Sequence, residues 1–266
     1  MMNIQLKKSA KYLYHWSGKI ISYWESGIIF LLIIALCLSV FCPLLQCGKS
    51  FDNRDWMLIT QIILYIGILL LAKLLPKRLY QLIEGLQVSG ILHFNKNQQD
   101  FLSGFKNSVY QFSQFGAITF ALLIFTLFSM AEGKGFLYQD GLLHISATLV
   151  AVAAGIHIGR MVAFSTLASC IQRYSGKIQL IPGHPDGAGG FVEIGEFYFS
   201  QAIILVLPIM YLIIWILIIP IHEAHYLHWR EPFFILALIL MGLESLLLFI
   251  PLRAFQNLIK KKKIGC

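Results

Sequence analysis

One glycine-rich stretch, IPGHPDGAGGFVEIGEF at residues 181–197, gathers His184, Asp186, Glu193 and Glu196 in a chain otherwise made of long apolar runs. An imidazole two residues from a carboxylate suits acid/base work: His184 moves a proton while Asp186 or Glu193 orients it, or holds a metal against a phosphate. Gly187, Gly189 and Gly190 allow a second chemistry, because backbone without Cβ atoms can approach an anion and cradle it with N–H groups. The stretch lacks the Gly-Lys-Ser/Thr of a P-loop, so nucleotide binding of that kind is excluded. Pro182, Pro185 and Gly195 equally suit a structural reading, a tight turn pinned by Asp and His hydrogen bonds.

Three further residues carry chemistry because of where they stand. His157, Arg160 and Glu244 interrupt apolar runs, and ionisable groups at membrane depth are functional candidates by default. His157 and Arg160 lie about 60° apart on a helix. Glu244 falls about twelve residues into its run, roughly 18 Å from the outer edge at 1.5 Å per residue and near the middle of the bilayer. A lone carboxylate there must be protonated, paired or wetted. It is expected either to line an ion path with His157 and Arg160 or to make a structural hydrogen bond as a neutral acid. A third group, His222, His225 and His228 with Glu223 and Glu231, offers zinc or copper ligands, although the spacing is not His-Glu-x-x-His. The competing expectation is an interfacial loop without a ligand. His144 and His157 point to different faces of one helix, which disfavours haem, and the sequence names no cofactor.

The elements that must position these groups are membrane spans. The chain is 58% hydrophobic and 13% charged with mean hydropathy +0.72, whereas soluble domains carry about 25% charged residues. Apolar stretches near 27–45, 57–75, 115–131, 141–164, 197–219 and 232–251 are each about long enough to cross a bilayer as a helix. We number them S1 to S6. The expected fold is an all-α integral membrane protein, a six-helix transmembrane bundle with a cytoplasmic helical hairpin between S2 and S3. Residues 1–26 form an interfacial amphipathic segment, 27–255 a single membrane domain, and 256–266 a basic tail. Membrane lipids are the first expected partners.

Orientation follows from the basic residues. With both termini in the cytoplasm, seventeen of the 21 Lys and Arg fall on cytoplasmic flanks, as the positive-inside rule requires. The +8 net charge is therefore a topology signal, and no nucleic-acid partner is expected. Cys42 and Cys47 suit unreactive thiols or an outer disulfide, because Cys-x4-Cys is no redox motif.

S2 and S3 extend beyond the membrane as "KRLYQLIEGLQ" and "QQDFLSGFKNSVYQFSQ", whose Phe101, Phe105, Phe112 and Phe115 are expected to be packing residues. In S4, Ala147, Ala151, Gly155, Gly159 and Ala163 recur every four residues, a small-residue strip that admits another helix or a second copy of the chain.

The segment "RYSGKIQLIPGHPDGAGGFVEIGEF" resembles a stretch of an uncharacterised group of bacterial multi-pass membrane proteins: Arg173, Pro182, His184, Pro185, Asp186, Gly189, Gly190 and Gly195 fit. Phe191 and Ile194 replace Leu, and Lys177 and Gln179 depart from the group's pattern. The likeness covers about the last hundred residues, through "PLRAFQNLIKKKKIG", and implies a shared architecture in a bacterial inner membrane rather than an activity.

Three function classes follow. The first is a channel or transporter, expected as a homo-oligomer, with Glu244, His157 and Arg160 along its path and the 181–197 loop as gate or sensor. The second is an inner-leaflet enzyme acting on a lipid or phosphate through His184 and Asp186. The third is an effector whose loop and hairpin dock a cytoplasmic protein.

Overall fold

The computed structural model describes residues 53–94, 98–132, 141–174, 177–178, 192–222, 227 and 229–263, together with Gly27 and Phe30. S1 therefore lies outside the described residues apart from those two helical positions. Four helices among the described residues are long and apolar enough to cross a bilayer, with apolar cores at Gln99–Leu127, Thr148–Ser165, Val192–Leu217 and Arg230–Asn257. The protein is membrane-embedded and multi-pass, and S3 to S6 correspond to these helices.

In chain order the elements are α1 (Asn53–Ala72), α2 (Leu75–Val88), β1 (Leu92–His93), α3 (Gln98–Glu132), α4 (Gly141–Ser165), α5 (Leu167–Arg173), β2 (Lys177–Ile178), α6 (Val192–His222) and α7 (Arg230–Lys263). The expected straight continuation of S2 breaks at Lys73–Leu74, where the chain turns and restarts as α2 with Pro near its first turn. Proline is tolerated there because the first helical N–H groups have no intrahelical partner. The basic tail continues α7 without interruption to Lys263.

Two pairings build the membrane part. In the first, the S4 strip is filled from within the chain: α3 packs along α4, and Gly116 meets Gly155 and Gly159 backbone to backbone. A Cβ on Gly155 would strike the Gly116 carbonyl, and one on Gly159 the Phe112 carbonyl. Ala151 and Ala163 are buried in the same strip, whereas the side chain of Ala147 lies outside the described residues. In the second pairing, α6 and α7 form an antiparallel hairpin. Trp215 meets Phe233 at 4.9 Å between ring centres near one end, and Tyr198 meets Phe255 at 6.3 Å near the other. Helix α1 joins both pairs, touching α4 through Leu69, Val150 and Ala153, and α6 through Tyr65 and Tyr211.

A capping layer closes the end of the bundle at which α6 begins. Leu75, Leu79, Leu82, Ile83 and Leu86 recur at helical spacing and bury one face of α2. The principal partners of this helix are α6 and β1. Beside it, β1 and β2 pair antiparallel, Leu92 with Ile178 and His93 with Lys177. This ladder is too short to leave any period-2 signal in the sequence. Phe101 and Phe105 are buried as expected and stack on each other, with Phe94 tilted against Phe101 and Tyr174 edge-on to it, the Tyr174 hydroxyl lying over Gly104. Phe112 is half-buried, and Phe115 faces outward.

Candidate functional site

Helix α4 carries His157 and Arg160, and contacts with α6 and with α1 set its register. Phe164 contacts Phe197 at 5.9 Å between ring centres, and the Tyr198 hydroxyl donates to the Phe164 carbonyl at 2.9 Å. This rung joins α4 to the antiparallel α6 near the start of α6. One and two turns back along α4, four and seven residues from Phe164, stand Arg160 and His157, on the same face. One turn forward along α6, three residues from Tyr198, stands Gln201. At 1.5 Å per residue, Gln201 lies about 4.5 Å and Arg160 about 6 Å beyond the rung, so they share a depth.

Helix α1 brings a fourth group. Leu69 packs with Ala153, and four residues beyond each stand Lys73 and His157. The Tyr65–Tyr211 contact independently sets Lys73 at the depth of the Gln201 turn, because eight residues along α1 match about ten back along α6.

Burial makes these groups consequential. His157, Arg160 and Gln201 are 4%, 5% and 2% exposed. Arg160 Nη1 lies 3.5 Å from His157 Nδ1. A guanidinium has no acceptor, so Nδ1 accepts and the ring N–H sits on Nε2. Gln201 has neither its amide N–H groups nor its carbonyl oxygen hydrogen-bonded. An orphaned buried amide is costly, about 1–3 kcal/mol for each group left without a partner. At the rim, one residue from Gln201, Ser200 Oγ accepts from Arg78 Nη1 at 2.6 Å. Nearby on α2, partial burial and then the Glu84 carboxylate raise the Tyr80 phenol above its ordinary pKa, so it stays protonated at neutral pH.

Glu244 falls on the buried stripe of α7 between Leu240 and Leu247, itself half-buried. It stands eleven residues before Phe255, hence about 16 Å beyond the Tyr198 rung, roughly one turn past His157. With α7 touching α4, Gln201 and Arg160, then His157, then Glu244 stand at increasing heights from the Tyr198 rung.

The glycine-rich loop is bracketed rather than seen. Pro182, His184, Pro185, Asp186, Gly187, Gly189 and Gly190 lie outside the described residues. Its two anchors are described. Ile178 is held in the β1–β2 ladder, and Glu193, in the first turn of α6, lays its carboxylate over Gly85 of α2. Gly195 faces open space. His225 and His228 lie outside the described residues, as does the side chain of His222 at the end of α6. Among the described residues no three His, Cys, Asp or Glu side chains gather as metal ligands.

Sequence reasoning found His157, Arg160 and Glu244 by their polarity, but not Gln201, Tyr198 or Lys73 as members of one site. The signal for Gln201 was present: in "FYFSQAIILVL" it sits four residues beyond Phe197, on the stripe that continues through Ile204 and Leu205. It reads as a border residue until Tyr198 is seen to be buried. No protein-family model matches this chain, and no curated protein or solved structure does.

Proposed function

We propose that this chain is an ion or small-solute channel or transporter, its path running along the seam of Glu244, His157, Arg160 and Gln201. The observation that carries the reading is the set of polar groups at three successive depths, Gln201 with Arg160, then His157, then Glu244, between apolar helices, where burying each costs free energy. Discontinuous elements at the end of such a seam are a recurrent design of transport proteins. The α1–α2 break at Lys73–Leu74 and the α4–α5 break at Thr166 both fall there. The bias of Lys and Arg supports that end as the cytoplasmic one in a bacterial inner membrane, with the 181–197 loop as its gate or sensor.

The α3 helix occupies the small-residue strip of α4, so that strip gives no support for a second copy, and the reading does not depend on one. Ion and proton flux in proteoliposomes tests it. Wild type is expected to conduct and Glu244→Gln to lose most of that flux. A wild type silent across a panel of cations and anions, or a variant that conducts equally, would refute the seam as a path.

A further inference from the structure

We propose that Glu244 is a proton-binding site, a carboxyl that takes up and releases H+ at bilayer depth. The proposal deepens the transport reading by naming its ion, and rests on that reading only for the purpose of the site. Glu244 stands on the buried stripe of α7, yet it is half-buried where Leu240 and Leu247 on the same stripe are 5% and 6% exposed. The stripe therefore opens at the carboxyl, and a small molecule dissolved in the bilayer can reach it. Among the described residues Glu244 makes no hydrogen bond and no ion pair. The proton of the neighbouring hydroxyl is engaged elsewhere, since Ser245 Oγ donates to the Met241 carbonyl at 3.0 Å. A carboxylate without a cationic partner is costly at this depth, and taking up H+ removes the charge outright.

The surroundings select the proton over a metal cation. Calcium takes about six to eight oxygen ligands, and sodium sites in transport proteins use the backbone carbonyls of unwound helices. Helix α7 runs unbroken through Glu244, and α6 through the equivalent height, so their carbonyls are held within the helices. Counted from the Tyr198–Phe255 contact that height on α6 is Ile209, and counted from Trp215–Phe233 it is Ile204. Every side chain from Ile204 to Ile209 is aliphatic or is Pro208. Pro208 has no N–H, which leaves the Ile204 carbonyl without its donor four residues on. One carboxyl and one carbonyl cannot cage a metal ion, whereas a carboxylic acid needs a single acceptor for its O–H. Other ionisable groups on the helices packed against α7 are few. Helix α6 has only Tyr211 between Tyr198 and His222, and α3 has none between Tyr110 and Glu132. Helix α5 holds Cys170 and Arg173, beside the capping layer. Helix α4 brings His157 about 5.5 Å nearer the Tyr198 rung than Glu244, with Arg160 a turn further toward it.

Dicyclohexylcarbodiimide, which partitions into lipid and reacts with carboxylic acids, reads the bound proton. The acid O–H adds across one C=N bond of the reagent, its proton going to nitrogen and its oxygen to carbon. The acyl group then moves from that oxygen to nitrogen, so the whole reagent is retained as an N-acylurea. The full chain in phosphatidylcholine vesicles is labelled from about pH 5 to about pH 10, a range that starts above the ordinary carboxyl values. Mass spectrometry locates the modified residue. Glu244 is expected to be labelled at the acid end, and the label to fall roughly tenfold for each pH unit above its midpoint. Sodium or calcium chloride should leave the label unchanged.

Infrared difference spectra decide the matter if the reagent fails to enter. The C=O stretch of a neutral carboxylic acid should appear on acidification of the wild type and be absent from Glu244→Gln. Labelling is mapped on the wild type, so the test stands even if that variant does not fold. A label and a band that stay constant over the whole range would reveal a permanently neutral acid and overturn the exchange of H+. Absence of both at every pH would overturn the site, and protection by sodium or calcium would assign a metal cation in its place. A titrating group in a protein that carries no ion would instead remove the transport reading and leave the proton site standing, while flux without titration at Glu244 would do the reverse.

Discussion

Replacing Gly159 by alanine tests the α3–α4 clasp with a single methyl group. The new Cβ would lie 2.9 Å from Ser113 Cα and closer still to the Phe112 carbonyl oxygen, and both are backbone atoms that no rotamer change can move. Reaching ordinary contact, about 3.5–4 Å between carbons, requires the helices to part by about 1 Å over this turn. A gap of that size forfeits about a quarter to a half of each dispersion contact beside it. Overpacking of this kind costs about 1–3 kcal/mol, and the gain in helix propensity from Gly to Ala returns up to about 1 kcal/mol. The expected net loss is therefore about 1–2 kcal/mol. Gly242 on α7 is the control, because a Cβ there meets nothing within 4 Å. Gly242→Ala should be neutral or slightly stabilising. Unfolding in mixed micelles of increasing dodecyl sulfate fraction measures both. Gly155→Ala with Gly159→Ala should cost less than the sum of the singles, since one separation relieves both clashes. A Gly159→Ala protein as stable as Gly242→Ala would refute backbone contact as what joins α3 to α4.

Three other expectations follow from the same geometry. Tyr198→Phe removes the donor to the Phe164 carbonyl while keeping the ring against Phe255, and should lower stability by about 1 kcal/mol in the same assay. Gly90, at φ +75° between α2 and β1, should cost about 1–2 kcal/mol when replaced by alanine, with hydrogen exchange rising first at Leu92 and Ile178. Gln201→Leu without any added ligand should leave stability unchanged or raise it by about 1 kcal/mol, because it removes two orphaned groups; a loss above about 2 kcal/mol would show that Gln201 is satisfied inside the fold.

Spans, and the polar groups within them, were legible because both are statements about composition along the chain. S3 to S6 each begin or end within a few residues of an apolar helix, and Ala151, Gly155, Gly159 and Ala163 do form a packing strip. Its partner was not legible. Gly116 is one small residue in "FSQFGAITF", and only the facing backbone shows why it must be small. The break at Lys73–Leu74 had a written signal in Pro76, overridden by the helical spacing that continues on both sides of it. The site escaped for a different reason. Lys73, Arg160 and Gln201 are 87 and 41 residues apart in pairwise order, and only the Leu69–Ala153 and Tyr198–Phe164 registers put them at a similar height.

The glycine clasp also divides the machine into parts that slide and parts that cannot. Two helices locked carbonyl to α-carbon have no lubricating layer of side chains between them, so α3 and α4 form a single strut. The α6–α7 hairpin meets that strut through rotamer-bearing side chains, among them Phe164 against Phe197 and Tyr198. On the proposed transport reading, the rocking that opens and closes a path is a displacement of the hairpin past the strut. Cysteine cross-links between α3 and α4 should leave flux intact, whereas links between α4 and α6 should stop it; the opposite pattern would place the moving boundary at the clasp.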